Sequence, residues 1–506
     1  MANLSRFVRH HALRTPDRIA LVQGDARVTY AELWSRICTV AGLLRARGID
    51  RGDRVALFMK NSVAFIEIAF AVSHVGAVLV PVNFRLAADE VDHILQDSGA
   101  ALLFCDEELA GWSPTVPDVV RLGLEAQRDA STLMPRVNDD ARSGDLMASV
   151  DHDDLLRILY TSGTTDRPKG VTHTYRNFYA KSCDQIIDLG LTSDTRLLVC
   201  GPLYHVGAFD LPGVAVLWTG GRLCLQRDFD PSGALALIER EALTGAWLAP
   251  VMAGALLAAQ RAEPRDVHTL QWVIGGGERT PESRIRDFST AFPNARYIDA
   301  YGLTETCGGD TLMERGQELE KIGSVGRSLS QVDIEIRDDD GRSLAAGQEG
   351  EICIRGAKVT QGYWQAPQKT AASFFGDWLR TGDIGYLDAQ GFLYITDRKK
   401  DMIISGGENV ASSEVERAIF ELPQVQDAAV IGVADVRWGE RPVSFIVLHP
   451  GHSLSEADIL SHCRRRLATF KVPERIIFAT ALPRSASGKV LKRELRESIA
   501  SGSPAA

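Results

Sequence analysis

The chain has 506 residues, of which 45% are hydrophobic and 24% are charged, and its formal net charge is −10 at pH 7. A single hydrophobic core stops growing at about 250–300 residues, so at least two domains are expected. The composition excludes a collagen-like, coiled-coil or largely disordered chain, and the acidic balance disfavours nucleic acid as a partner.

The cysteines and the apolar stretches bear on the compartment. Eight cysteines are spread along the chain without a Cys-x-x-Cys pair, which indicates reduced, mostly buried thiols. The most apolar stretch, Ala64–Val82, contains Glu67, His74 and Pro81, so it is interpreted as a buried helix followed by a strand and not as a membrane span. Polar residues interrupt the first 14 positions and leave no signal-peptide core. A cytoplasmic protein without a transmembrane segment is expected.

In chain order, the first half alternates between helix and strand patterns. Thr29 is a candidate N-cap for a helix that ends near Gly48. The next expected strands are Arg54–Met59, Ala77–Val82, Ala101–Cys105, Leu155–Tyr160, Leu197–Cys200, Leu223–Leu225, Ala246–Leu248, Leu270–Ile274 and Arg296–Ile298. The expected helices between them include Asn61–His74, Ala87–Gln96, Pro231–Glu241 and Glu282–Phe292. This alternation predicts parallel sheets covered by helices.

The pattern changes near Gly323. An antiparallel hairpin is expected from Val332–Arg337 and Gly350–Arg355, joined by a turn at Asp338–Gly341, with another strand at Gly391–Thr396. Beyond Lys400 the expected elements are Ser413–Glu421, Ala428–Val433, Val443–Leu448 and Glu456–Leu467. We predict an α/β fold with a large N-terminal domain, residues 1–399, holding two parallel α/β sheet subdomains and an antiparallel β subdomain. Residues 400–506 are predicted to form a small mobile α+β domain.

The densest run of small and hydroxylated residues is Tyr160-Thr-Ser-Gly-Thr-Thr-Asp-Arg-Pro-Lys-Gly170, directly after a predicted strand. Its backbone N–H groups and hydroxyls, together with Lys169, can cradle a polyphosphate. It is not a P-loop, because no Gly precedes Lys169 and Gly170 stands where Ser or Thr would bind magnesium. The alternative is a polar surface turn.

Two later motifs offer groups that a nucleotide needs. In Tyr301-Gly-Leu-Thr-Glu305 the tyrosine presents a flat face for a purine, Thr304 a hydroxyl for a phosphate, and Glu305 a hard oxygen ligand for Mg²⁺. In Thr381-Gly-Asp383 a carboxylate can accept both hydroxyls of a ribose. Taken alone, each is equally well explained as an ordinary loop or turn.

Two further segments lie around the junction and near the C-terminus. Five consecutive charged residues, Asp397–Asp401, precede Ile403-Ile-Ser-Gly-Gly-Glu-Asn409, where paired glycines allow a thin ligand to pass close to the backbone. The run can be a solvated loop or an exposed hinge. Pro483-Arg-Ser-Ala-Ser-Gly-Lys489 is a small-residue loop that presents one lysine, which carries little information alone.

In this order and spacing, the five motifs resemble those of the adenylate-forming superfamily of acyl- and aryl-CoA synthetases, luciferases and peptide-synthetase adenylation domains. The resemblance covers about residues 10–497, and Ser405–Asn409 is most similar to bacterial fatty-acyl, feruloyl or aryl-CoA ligases. It implies two half-reactions. A carboxylate attacks the α-phosphate of ATP to give acyl-AMP and pyrophosphate, and the thiolate of CoA then displaces AMP while the small domain swings between two positions.

The resemblance also implies roles for individual residues. The implied catalytic residues are Lys489, Thr304, Glu305, His205 and Lys169, with Glu305 also the Mg²⁺ ligand. The implied nucleotide contacts are Thr161, Ser162, Gly163, Thr164, Thr165, Lys169, Tyr301, Gly302, Thr304, Asp383 and Arg398. The implied CoA contacts are Gly406, Gly407, Trp438, Phe470 and Lys471, with Lys400 as the hinge.

The resemblance places the acyl group in a roomy apolar pocket lined by His205, Val206, Gly207, Gly275, Gly276, Gly277, Cys307, Gly308 and Gly309. The implied small molecules are ATP or AMP, Mg²⁺, coenzyme A, and a hydrophobic carboxylic acid or its acyl-AMP. No acid is clearly placed to hold a substrate amine, although Asp210 is close in sequence. An amino-acid substrate is therefore disfavoured, and neither the acid nor the oligomeric state is predicted.

Two departures from the family pattern keep alternatives open. Asp166 stands where the family usually has Gly, and a carboxylate beside polyphosphate is repulsive unless it points away or binds Arg167. Ala411-Ser412 replaces an aromatic residue and Pro. One alternative is an enzyme that only converts a supplied acyl-AMP to acyl-CoA. The others are a catalytically silent nucleotide-binding protein, disfavoured because Lys169, Glu305, Asp383 and Lys489 are all retained, and transfer to a carrier-protein thiol.

Overall fold

The computed structural model describes residues 2–111, 114–116, 118–133, 147–161, 168–277, 280–399, 401–405, 408–435, 437–484 and 489–501. The strands in chain order are β1 (Ile19–Gln23), β2 (Ala26–Thr29), β3 (Arg54–Phe58), β4 (Val78–Val82), β5 (Ala100–Asp106), β6 (Val119–Leu122), β7 (Leu155–Thr161), β8 (Lys169–Thr174), β9 (Arg196–Val199), β10 (Arg222–Leu225), β11 (Gly245–Leu248), β12 (Trp272–Gly275), β13 (Arg296–Tyr301), β14 (Thr311–Leu312), β15 (Arg327–Ser328), β16 (Val332–Arg337), β17 (Gly350–Gly356), β18 (Phe374–Phe375), β19 (Trp378–Leu387), β20 (Leu393–Arg398), β21 (Ile403–Ser405), β22 (Glu408–Val410), β23 (Val425–Asp435), β24 (Gly439–Leu448) and β25 (Arg475–Phe478).

Of the described α-helices, eleven precede residue 400 and three follow it. In chain order they are α1 (Ser5–Arg14), α2 (Tyr30–Ala46), α3 (Val63–Val75), α4 (Ala88–Ser98), α5 (Leu124–Arg128), α6 (Tyr175–Leu189), α7 (Val214–Thr219), α8 (Pro231–Glu241), α9 (Pro250–Ala262), α10 (Glu282–Ala291), α11 (Pro367–Ala372), α12 (Ser412–Phe420), α13 (Glu456–Arg466) and α14 (Lys492–Ser501). Of the helices described, none combines the length and the apolar character that crossing a membrane requires.

Two sheets are largely parallel, as the alternating pattern predicts. One has the strand order β6-β5-β3-β4-β7-β8 and is parallel except for the β7–β8 hairpin. The other has the order β15-β14-β13-β12-β11-β9-β10-β1-β2 and is parallel from β13 to β1. The largest apolar cluster contains side chains of α1, α2, α3 and α6 together with strands of both sheets. The two sheets therefore share one core.

The remaining two sheets confirm the predicted change of architecture. The order β16-β17-β19-β18, with β20 on β19, is antiparallel, and Val332 pairs with Gly356 in the expected hairpin. The last sheet has the order β22-β21-β24-β23, with β25 parallel to β24. The predicted fold class is confirmed. The division at residue 399/400 stays a prediction, and Lys400 lies outside the described residues.

Local signals explain several element boundaries. The Thr29 hydroxyl accepts the Glu32 N–H at 3.1 Å and the Glu32 carboxylate accepts the Thr29 N–H at 2.8 Å, a capping box that starts α2. Every residue of α3 is buried, including Glu67 and His74, which confirms that the most apolar stretch is a core helix. Six of the eight cysteines are buried, as expected.

Candidate active site

Three residues from separate motifs meet at the edge of the antiparallel sheet. The Tyr301 hydroxyl donates to Asp383 Oδ2 at 2.7 Å, and Arg398 Nε lies 3.2 Å from Asp383 Oδ1. Asp383 and Arg398 are register partners on β19 and β20, so the sheet itself places them together. Burial raises the pKa of the Tyr301 phenol well above its usual value, which keeps it a hydrogen-bond donor.

The Asp383 carboxylate retains capacity for a further ligand. An ionised carboxylate has about four lone-pair sites on its two oxygens, and Tyr301 and Arg398 each engage one oxygen. One acceptor position therefore remains on each oxygen, a pattern that fits the two hydroxyls of a ribose. The side chain is only 6% exposed, so a ligand there would be held in a fixed orientation.

Glu305 lies in a short turn after β13. Its Oε1 accepts the Tyr363 hydroxyl at 2.9 Å, and its backbone carbonyl accepts the Thr360 N–H at 2.7 Å. The described residues supply no hydrogen bond or ion pair to Oε2. An anchored carboxylate with one free oxygen fits the hard-ligand preference of Mg²⁺.

The predicted phosphate loop is the turn of the β7–β8 hairpin. Thr161 pairs with Lys169 at the end of this hairpin where the chain passes from β7 to β8. The described part of the chain contains no carboxylate paired with Lys169. Ser162, Gly163, Thr164 and Thr165, like Asp166, lie outside the described residues. The hairpin therefore places Thr161 and Lys169 on the two sides of the predicted polyphosphate cradle.

A buried polar chain lies directly behind these groups. Arg157 on β7 donates to both oxygens of Asp210, at 2.9 and 2.5 Å, and to His173 Nδ1 at 2.9 Å. His173 Nε2 lies 2.7 Å from the Thr304 carbonyl oxygen. Lys181 Nζ donates to the Asp210 backbone carbonyl at 2.6 Å. Because Asp210 has no exposed surface and is paired with Arg157, it is not available to hold a substrate amine.

A second buried cluster holds the other end of the same loop. Lys358 Nζ donates to the Gly309 carbonyl and lies 3.2 Å from the Asp310 carboxylate. The Thr306 hydroxyl donates to the other Asp310 oxygen. Lys358 and Asp310 have no exposed side-chain surface. The segment from Thr304 to Asp310 is therefore fastened at both ends.

A cavity of about 260 Å³ brings Lys489 together with His205. Its lining includes the exposed residues Arg85 and Asp228 and the buried residues Cys200 and Trp247. The residues that line it are Asn61, Phe84, Arg85, Cys200, Pro202, His205, Arg227, Asp228, Phe229, Trp247, Ala249, Val251, Met252, Gly276, Gly277 and Lys489. The cavity therefore offers Lys489 as a contact for a small molecule bound in it.

His205 is neutral at physiological pH. Burial, and secondarily the Lys489 ammonium, lower its pKa to about 4. Its Nδ1 accepts the Gly207 N–H at 3.2 Å, which leaves Nε2 as the protonated nitrogen. His205 therefore presents a neutral donor to the cavity without competing with Lys489 for an anion.

This low pKa predicts a pH-dependent loss of stability. The unfolded chain takes up a proton on His205 near pH 6.5, whereas the folded chain resists until about pH 4, so stability falls as pH drops through this window. Replacing His205 by Gln should remove up to about 2 kcal/mol of the difference in unfolding free energy between pH 7.5 and pH 5. Urea unfolding at both pH values measures this difference, and His10→Gln, at an exposed position of α1, is the control. An unchanged difference in H205Q would contradict the prediction.

Most of the small residues predicted for the acyl pocket have packing neighbours instead of cavity surface. A Cβ on Gly207 would lie 2.3 Å from the Trp247 ring, and one on Gly275 would lie 2.0 Å from the Tyr297 hydroxyl. Only His205, Gly276 and Gly277 of the predicted set line the cavity. The predicted residues that do not line it are Val206, Gly207, Gly275, Cys307, Gly308 and Gly309.

The close approach of Trp247 to Gly207 predicts a steric effect. Replacing Gly207 by Ala should destabilise the fold by about 1–3 kcal/mol, because the indole has to shift within a packed core. Thermal unfolding measures this, with Gly111→Ala, where nothing lies within 4 Å of the added Cβ, as the control. The double variant G207A/W247L should regain part of the loss, and equal melting temperatures for both alanine variants would refute the steric explanation.

The predicted CoA contacts lie on the surface of the C-terminal part. Trp438 is 40% exposed and Phe470 is 39% exposed, and Lys471 pairs with Glu414 at 2.7 Å. Gly406, Gly407 and Lys400 lie outside the described residues. The two exposed aromatic faces are available for stacking on a planar group.

Gly302 has a visible steric reason to be glycine. A Cβ there would lie 2.3 Å from the Gly309 backbone nitrogen, so the loop after β13 can fold back only if residue 302 lacks a side chain.

The sequence reasoning missed His173, Tyr363 and Trp247. The Gly362-Tyr-Trp364 run could have indicated Tyr363, whereas no local pattern marks His173 or Trp247.

Comparisons with known proteins identify the family of the chain. A family model described as AMP-binding enzyme matches residues 8–364, and one for the AMP-binding enzyme C-terminal domain matches residues 414–489. A feruloyl-CoA synthase of an Amycolatopsis species is 37% identical over 96% of both chains. A long-chain-fatty-acid–CoA ligase of Mycobacterium tuberculosis is 36% identical over 100% of both. The o-succinylbenzoate CoA synthetase of Bacillus subtilis, in complex with an acyl-adenylate, superposes with a TM-score of 0.85 at 30% identity over 97% of both chains.

Proposed function

Because the chain belongs to the AMP-binding enzyme family, and to its acyl- and aryl-CoA ligases, we propose that it activates a hydrophobic carboxylic acid with ATP and then forms the CoA thioester. The observation that carries this proposal is the convergence of a nucleotide-type cluster, an anchored carboxylate and a lysine-lined cavity. Tyr301, Asp383 and Arg398 are in direct contact, and Lys489 shares its cavity with His205. Nucleotide binding alone would not require the cavity lysine in addition to the cluster around Asp383.

In the first half-reaction, a carboxylate oxygen of the acid attacks the α-phosphorus of ATP, and the bond from that phosphorus to pyrophosphate breaks. Two anions must approach each other, so a cation at the point of contact stabilises the transition state. The position of Lys489 in the cavity supports this role. Thr304 is proposed to contact the α-phosphate, and Thr161 and Lys169 the outer phosphates. Mg²⁺, when held by Glu305, would neutralise phosphate charge.

In the second half-reaction, the thiolate of CoA attacks the acyl carbon, and the bond to the AMP oxygen breaks. AMP leaves, and its ribose would be released from Asp383. Trp438, Phe470 and Lys471, together with Gly406 and Gly407, are proposed to guide CoA. The exposed aromatic surfaces of the first two support this assignment.

We assign the large domain to residues 1–399 and the small rotating domain to residues 400–506. The Lys399 N–H still donates to the Gly382 carbonyl at 2.9 Å, and its Nζ pairs with Asp339 at 2.6 Å. The chain is thus tied to the antiparallel sheet up to the residue before Lys400. A rotation about that point would carry Lys489 away from the cavity.

A panel of fatty, hydroxycinnamic, benzoic and polycyclic acids tests the function. Each acid is assayed for ATP–pyrophosphate exchange, for AMP release with and without CoA, and for the CoA thioester by mass spectrometry. The proposal expects at least one acid to give exchange without CoA and a thioester with CoA. Nucleotide binding without exchange or thioester for any acid, and with no conversion of the matching acyl-AMPs, would overturn it.

Asp166 supports one second candidate, an enzyme that only converts a supplied acyl-AMP to acyl-CoA. A carboxylate in a polyphosphate cradle would weaken ATP binding. This candidate expects no exchange with any acid but rapid thioester formation from synthetic acyl-AMP. Robust exchange with any acid would rule it out, and Asp166→Gly should raise exchange if the carboxylate is the cause.

A further inference from the structure

We propose that His173 is a positioning residue for adenylation: it fixes the Thr304–Glu305 segment relative to the hairpin that carries the phosphate loop. This inference rests on the proposed function. His173 lies on β8, and its Nε2 is 2.7 Å from the Thr304 carbonyl oxygen. Thr304 itself directly precedes the proposed Mg²⁺ ligand.

The direction of each hydrogen bond follows from the chemistry of Arg157. A guanidinium has only donors, and Arg157 approaches His173 Nδ1 at 2.9 and 3.2 Å. Nδ1 must therefore accept, so the ring proton lies on Nε2. From there it donates to the Thr304 carbonyl oxygen. Arg157 thus selects the tautomer that can hold the Thr304 segment.

Arg157 is itself immobilised. Its guanidinium is 1% exposed and grips both oxygens of Asp210, which is fully buried. Lys181 Nζ holds the Asp210 backbone carbonyl at 2.6 Å. The chain from Asp210 through Arg157 and His173 to Thr304 is continuous, and a buried polar network of this kind has little freedom to rearrange.

The chain joins two proposed phosphate-binding segments. Arg157 and His173 are register partners on β7 and β8, the two strands that lead into and out of the phosphate loop. A parallel link runs from the Thr172 carbonyl, which accepts the Thr360 hydroxyl at 2.6 Å, to the Thr360 N–H that donates to Glu305. Movement of Thr304–Glu305 relative to the hairpin therefore breaks at least one buried hydrogen bond.

The test uses the full-length enzyme with His173→Leu, His173→Gln and, as a matched buried-histidine control, His74→Leu. His74 is 2% exposed and bonds Ser5 at 2.9 Å, and it has no hydrogen bond to Thr304 among the described residues. Leucine removes the hydrogen bonds of both ring nitrogens of His173, whereas glutamine keeps an N–H donor for the Thr304 carbonyl. Hydrogen exchange of the peptide spanning residues 301–310 is followed by mass spectrometry. The apparent Mg²⁺ requirement of ATP–pyrophosphate exchange and the rate of thioester formation from supplied acyl-AMP are measured in parallel.

We expect H173L to speed hydrogen exchange in residues 301–310 by about tenfold. Its Mg²⁺ requirement should rise by about the same factor while thioester formation changes less than about threefold. H173Q should lie between H173L and the wild type, and H74L should leave both readouts unchanged. Equal effects of H173L and H74L, or no effect of H173L, would overturn the inference. If H173L does not fold, the inference is tested by comparing H173Q with H74L in hydrogen exchange of residues 301–310 and in the Mg²⁺ requirement. If the wild type shows no ATP–pyrophosphate exchange, the proposed adenylation is refuted. The comparison of hydrogen exchange between the variants would still test the role of His173.

Discussion

Replacing Lys489 by Met is expected to slow acyl-adenylate formation by about 10²–10³-fold, the usual effect of removing one group that stabilises developing charge. Lys489 lines the cavity beside a His205 that is neutral at physiological pH, and it is the cation that we propose to meet the incoming carboxylate. Methionine retains the length of the side chain and removes only the charge.

The same change should leave the second half-reaction nearly intact. Thioester formation from supplied acyl-AMP does not bring two anions together, so K489M should retain at least about a third of the wild-type rate. ATP–pyrophosphate exchange and conversion of acyl-AMP measure the two halves separately. Arg493→Met, four residues along the chain and 67% exposed, makes the same charge change as a control. Equal losses in both half-reactions would show that Lys489 has no special role in adenylation.

Replacing Asp383 by Asn is expected to raise the KM for ATP by about 10- to 150-fold, because hydrogen bonds to a charged group contribute about 1.5–3 kcal/mol. The amide cannot accept on both atoms, so one ribose hydroxyl would lose its acceptor and Arg398 would lose its partner. Exchange kinetics at varied ATP, and equilibrium binding of a fluorescent ATP analogue, measure the effect.

A matched control for D383N is Asp377→Asn, a 68% exposed carboxylate in the loop before β19 that pairs with Arg355 at 3.3 Å. D377N should bind the analogue like the wild type. Without nucleotide, D383N should melt below D377N, because Tyr301 and Arg398 lose a charged acceptor, so both binding measurements are made below its melting temperature. An unchanged KM in D383N would mean that the ribose is held elsewhere.

Local signals in the sequence were sufficient for much of the fold. The helix Pro231–Glu241 has the predicted bounds, because Asp230 accepts from the Gly233 N–H and Pro231 starts the first turn. The motif residues Tyr301, Asp383 and Arg398 meet as a nucleotide site would require. In both cases the information lies within a few consecutive residues or within a motif of fixed spacing.

Long-range pairs could not be predicted in the same way. Arg157 and Asp210 are 53 positions apart, and neither carries a local mark that distinguishes it from a surface charge. The strand at Lys169–Thr174 was missed because its first residues belong to the phosphate-loop motif. The packing of Trp247 on Gly207 likewise depends on how two separate elements approach each other, which the small size of the glycine alone does not indicate.

The balanced buried charges constrain how this chain can change over evolutionary time. Asp184, Asp210 and Asp310 oppose Arg157, Lys181 and Lys358, and all six side chains are at most 1% exposed. Losing one partner leaves an uncompensated charge at a cost of about 3–5 kcal/mol, whereas exchanging a whole pair for apolar residues can be neutral. Substitutions at these positions are therefore strongly epistatic. A chimera that takes β7 from one relative has to take Asp210 together with Arg157 to remain folded. One that takes the loop after β13 has to take Lys358 together with Asp310.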